Sequence, residues 1–186
     1  MSETEVKNLR ISSLGIANRI MQVCASKSLQ DITNMKVQKL LYYVYAYFYL
    51  KHNKVLFGCE HIMFWQFGPV ITRVYDSLKH HKANHIQEYI YDTHPYDEDG
   101  NANETYRIID IKDHANYEIA FNAIEEIVTK LGMLSANELK NLSHKDTSAW
   151  YTITDNGQNT YQTLTSDKLF LVTAEIENIT SKYNIC

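Results

Sequence analysis

The stretch Asn34–Lys51, NMKVQKLLYYVYAYFYLK, decides the fold. No charge occurs between Leu40 and Leu50, and Tyr42, Tyr43, Tyr45, Tyr47 and Tyr49 all fall inside that run. A strand ends after about four to eight residues, whereas helices run past ten, so the length predicts a helix. Asn34 suits its N-cap, where a side-chain oxygen accepts from the first free backbone N–H groups. On a helical wheel Val37, Leu40, Leu41, Val44 and Phe48 make one apolar stripe. Gln38, Tyr42, Tyr45, Ala46 and Tyr49 take the opposite side. A helix wrapped in this way is buried on most sides, so it is expected at the centre of the fold. Crossing a bilayer takes about 20 apolar residues; this run is bracketed by Lys39 and Lys51, and tyrosine hydroxyls at mid-bilayer would lack partners. A membrane span is therefore not expected.

The 186 residues suit a single domain with a full hydrophobic core. Only 6 Gly and 2 Pro occur, which favours long helices over tight turns. The formal charge of −4 provides no overall electrostatic footprint for nucleic acid. It is compatible with masking a basic partner. Cys24, Cys59 and Cys186 have neither the spacing of a zinc site nor the even number of a disulfide framework. Reduced thiols, together with an N-terminus that lacks an apolar signal core, predict a cytoplasmic location.

Around the central helix, Leu14, Ala17, Ile20, Met21 and Cys24 follow Ser12 and Ser13 at helical spacing and predict a first helix packed on it. The aromatic alternation of Glu60–Val70 reads as a strand ended by Gly68-Pro69, with Val70, Val74, Tyr75 and Leu78 forming the next helical stripe. Ile86–Tyr91 and Tyr106–Ile111 predict a hairpin, and Asp92–Thr105 a long mobile loop between its strands. Tyr117–Met133 has helical period, and Ser135 with Glu138 has capping-box spacing. A C-terminal helix is expected within 165–181. The fold class is thus mostly α (α+β): a compact helical domain around a buried helix, with a small β-sheet or hairpin.

Three motifs stand in order. They are Asn34-x-Lys36-x-Gln38-Lys39-Leu40-Leu41-Tyr42-Tyr43, then Trp65-x-x-Gly68-Pro69-Val70 with Tyr75, then Leu139-x-x-Leu142-Ser143-His144 with Trp150. In combination they make residues 10–155 resemble the Panacea domain family, also known as the SocA-like or phage-associated GepA-like family. Ser148-Ala149 stands before Trp150 where that family often has Pro. The resemblance implies an antitoxin that binds a cognate toxin protein directly, with no cofactor and no catalytic role. Part of the family serves as an adaptor delivering a partner to a protease, which gives one alternative; a nucleic-acid-binding regulator is the other. The oligomeric state is not legible.

The expected partner-binding or motif residues are Tyr42, Tyr45, Tyr49, Trp65, Phe67, Gly68, Pro69, Tyr75, His144 and Trp150. Tyr and Trp bring large contact area with few rotors to freeze; packing of the tyrosine face against neighbouring helices is the competing reading. His144 reads as a ring fixing a helix end through a backbone carbonyl. Glu60 and His61 lack the convergent set that acid–base catalysis requires. His80, His81 and His85 are flanked by Lys79 and Lys82, which disfavours a metal. Gly68-Pro69 reads as a turn, not a phosphate loop. A catalytic reading would need His61, His144 and a carboxylate in one pocket. Lys79–Lys82 is too small to act as a nucleic-acid recognition element, and Lys182–Cys186 is a weak candidate for an adaptor's mobile tail.

Overall fold

A computed structural model describes residues 6–96 and 102–186. Helix α1 spans Ser13–Ser26 and α2 spans Asn34–His52. Every residue from Lys36 to Phe48 is buried, so α2 is the core helix its sequence predicts. It packs against α1, α4 (Tyr117–Leu131), α5 (Ala136–Leu142) and α7 (Leu169–Tyr183). The short α3 (Thr72–Leu78) and α6 (Ala149–Ile153) complete the helical shell. No helix among the described residues is long and apolar enough to cross a membrane.

The N-cap of α2 is Thr33, not Asn34: its hydroxyl accepts from Lys36 N at 3.3 Å. Asn34 sits inside the first turn, where its side-chain oxygen accepts from Gln38 Nε2 at 3.2 Å. Either residue type can cap, and the extended backbone of Thr33 decides between them. Ser12 caps α1 by accepting from Gly15 N. The capping box of Ser135 and Glu138 is formed in both directions.

Three small sheets punctuate the helices. Strands β1 (Lys7–Asn8) and β2 (Lys54–Val55) pair in parallel. In the second sheet the order is β4 (Gly68–Ile71), β3 (Ile62–Trp65), β7 (Gln162–Thr163), all antiparallel. Gly68-Pro69 therefore does not end a strand: it opens β4, which pairs with β3 across a two-residue turn, and the helix starts later, at Thr72. The third sheet is the hairpin of β5 (Tyr91–Tyr96) and β6 (Ala102–Ile108). Its strands extend into the stretch expected to be loop; paired β-bridges run from Tyr91↔Ile108 to Tyr96↔Ala102. Residues 97–101 of the expected loop lie outside the described residues. All three cysteines are free, with Cys24 buried and Cys186 exposed.

Candidate interaction site at the β3–β4 turn

The second sheet presents a tight turn at the surface. Gln66 and Phe67 form it, and Gly68 completes the reversal at a φ of +94°, which costs glycine little but strains other residues. A Cβ on Gly68 would also stand 2.6 Å from Ser143 Oγ and 2.7 Å from Lys39 Nζ. Phe67 is 56 % exposed at the tip.

The carbonyls of the turn are held from the C-terminal half of the chain. Trp150 Nε1 donates to Trp65 O at 2.7 Å. His144 Nε2 lies 3.0 Å from Gln66 O, and its Nδ1 lies 2.8 Å from Lys140 O. A neutral imidazole carries one N–H, so His144 donates to one of these two carbonyls, and its ring sits between the end of α5 and the turn. Its ring packs against Trp150 with centroids 3.9 Å apart and the planes tilted by 38°. The Gly-Pro and His/Trp motifs, about 80 residues apart in sequence, therefore form one clamp.

Beside the turn lies a half-open cavity of about 350 Å³. Trp65, Phe67, Tyr75 and Tyr161 wall it, and Met35 and Val70 add apolar surface. Trp65 packs edge-on to Tyr75, with centroids 4.9 Å apart, and against Tyr161 at 5.8 Å. Trp65 Nε1 is buried without a hydrogen-bond partner. Tyr161 adjoins β7, its N–H donating to Phe64 O at 2.7 Å. Tyr161 follows a polar stretch with no periodicity, so nothing in the sequence marks it.

Trp65, Phe67 and Tyr75 are brought together here, with Gly68, Pro69, His144 and Trp150 supporting them from behind. The tyrosines of α2 are elsewhere. Tyr42 and Tyr45 are fully buried and Tyr49 is partly buried. Tyr42 OH donates to Glu175 at 2.7 Å, and Tyr45 packs its ring 5.0 Å from Phe57. Burial pushes both hydroxyls far up from the ordinary tyrosine range. This aromatic face is core: α7 and the segment around Phe57 cover the side that the helical wheel left open.

Two buried ionisable groups lie behind the clamp, and neither is legible from hydropathy. Lys39, expected to flank the apolar run, is 1 % exposed, and its amine donates to Pro69 O at 2.9 Å. Burial lowers its pKa to about 7, with Glu175 opposing and Lys140 adding to the drop. Glu175 of α7 accepts from Tyr42 OH and from Ala149 N, while its Oε1 has no partner. Burial raises its pKa to about 7, against the pull of those hydrogen bonds and of Lys39. No ion pair within 4 Å joins the two. Lys36, equally buried, reaches Asp31 at 2.5 Å.

The remaining candidates fall apart in space. His61 is exposed beside Glu60 and lines a separate cavity with Phe57 and Arg73. His85 accepts from Ile32 N through Nδ1, and no group of metal-ligating residues occurs among the described residues. The Lys182–Cys186 segment is tied down, not free. Ile185 is buried, Cys186 N donates to Glu126, and Tyr47 OH donates to Cys186 O.

No curated protein and no solved structure matches the chain. The family described as antitoxin SocA-like, Panacea domain, matches residues 37–151, a span that starts within α2, contains the β3–β4 turn and reaches the Trp150 clamp. The chain belongs to that antitoxin-like family.

Proposed function

We propose that this protein neutralises a cognate protein toxin by direct contact, and that the β3–β4 turn with its aromatic cavity is the contact surface. The observation that carries this reading is the presentation of Phe67. A large aromatic side chain stands exposed on a turn whose carbonyls are clamped from behind by Trp150 and His144. Rigid, surface-exposed aromatics next to a pocket lose little entropy on docking and dominate binding energies. The buried tyrosines then serve as the platform that keeps the turn in place. Neutralisation by occlusion depends on affinity and a slow off-rate, with no turnover required.

The test is co-expression with the product of the neighbouring reading frame, with growth and co-purification as readouts. The expected result is growth arrest by the neighbour alone, rescue by this protein, and a stable complex. Rescue accompanied by loss of the neighbour protein, without a complex, would favour delivery to a protease instead.

A further inference from the structure

We infer that the aromatic cavity receives an acidic segment of the partner, with an apolar side chain seated among Trp65, Phe67, Tyr75 and Tyr161 and a carboxylate at Lys82. The inference rests on the docking role proposed above and adds the chemistry of the occupant. Charge complementarity carries it. The charged residues lining the cavity are Lys82 and Lys39, and no carboxylate among the described residues lines it. Lys82 is exposed and has no ion pair among the described residues. The nearby acid of α3, Asp76, is engaged by Lys79 at 2.8 Å. Lys39 is buried and donates its amine to Pro69 O, so Lys82 is the exposed cation of the lining.

The backbone supports the same place. Tyr161 has a φ of 66°, and Lys82 has φ 54° with ψ −122°. Asn53 and Asn184, which share positive φ, close helices and are suited to it. A bulky tyrosine gains nothing from such geometry, and Lys82, which closes the turn Lys79–His81, lacks the side chain that suits asparagine to it. Both residues line this cavity, while Arg10 and Ser28, at φ 57° and 59°, lie outside it. Its volume of about 350 Å³ is near the lower end of ligand sites, suiting one side chain and its flanks. The chain's net charge of −4 disfavours an acidic partner at long range, but screening at physiological salt acts over about 8 Å and leaves the local lysine to decide.

The experiment uses the full chain and the toxin captured with it. Tyr161, exposed at the cavity wall, is replaced by p-benzoylphenylalanine, and the toxin peptide cross-linked to it is sequenced. In parallel, Kd is measured for Lys82→Glu, for Phe67→Ala, and for Lys112→Glu as an exposed control. The expected result is a cross-linked segment with Asp or Glu near an apolar residue, and a more than tenfold weaker Kd for Lys82→Glu. The control stays unchanged, and replacing the toxin carboxylate by Lys restores binding to Lys82→Glu. If Phe67→Ala weakens binding while Lys82→Glu does not, or tightens it, the acidic-segment inference is overturned and the docking site stands. If Phe67→Ala binds like wild type, the docking site itself is wrong.

Discussion

Lys39→Met removes a buried ammonium and keeps the length of the side chain. Shifting Lys39 from 10.5 to about 7 corresponds to a burial cost on the order of 5 kcal/mol for the charged form. Against this stands the bond to Pro69 O, whose loss leaves a buried acceptor unpaired at about 1–3 kcal/mol. The variant should therefore be more stable than wild type by about 2–4 kcal/mol near pH 7, as when a buried charge is exchanged for a well-packed apolar group. That advantage must depend on pH. Below about 7 the amine is charged in both states, and wild type carries the whole cost. Between about 7 and 10.5 the folded state releases the proton while the unfolded chain keeps it, so unfolding takes up a proton. Wild-type stability then rises by about 1.4 kcal/mol per pH unit. The advantage of Lys39→Met should shrink with that slope and be gone or reversed by pH 10, where the neutral amine still donates to Pro69 O. Urea unfolding of both proteins at pH 7.5, 8.5 and 10 measures it. A difference that does not change with pH would mean that the folded state compensates the Lys39 charge and that no such burial cost exists.

Glu175→Gln tests the opposite sign. The wild-type carboxyl is raised from 4.5 to about 7, so it contributes stability that is complete below 4.5 and is lost as pH rises through 7. Wild-type stability relative to Glu175→Gln should fall by about 1–3 kcal/mol over that interval in chemical denaturation. Gly68→Ala should cost about 2–4 kcal/mol, read as a lower urea midpoint at unchanged m, because φ is +94° and the new Cβ meets Ser143 and Lys39. Ser135→Ala breaks the capping box of α5 and should cost about 1 kcal/mol in the same assay.

The central helix, the Ser135 cap and the family were legible in the sequence because each rests on local signals: helical period, a short spacing, and residue runs. The clamp was not. Nothing near Gly68 announces that Trp150 and His144 will hold the carbonyls before it, since those bonds cross 85 and 78 residues. Lys39 read as a flank for the same reason: its partner carbonyl at Pro69 and the carboxyl at Glu175 arrive from distant elements. The tyrosine face looked amphipathic on the wheel, yet Tyr42 finds its partner on α7, 133 residues on, and is closed over. Between β5 and β6, Asp, Asn and Gly suggested a loop, whereas ladder hydrogen bonds carry the strands into it.

The central claim is that neutralisation works through contact at the Phe67 turn, and calorimetric titration of purified toxin into wild type and Phe67→Ala tests it most directly. Phe67 is more than half exposed, so the variant should keep the wild-type unfolding midpoint. Wild type should bind tightly and one-to-one, and the variant should lose about 2 kcal/mol or more, at least roughly thirtyfold in Kd. Equal affinity of the two proteins, or no binding by wild type alongside full growth rescue, would contradict that claim.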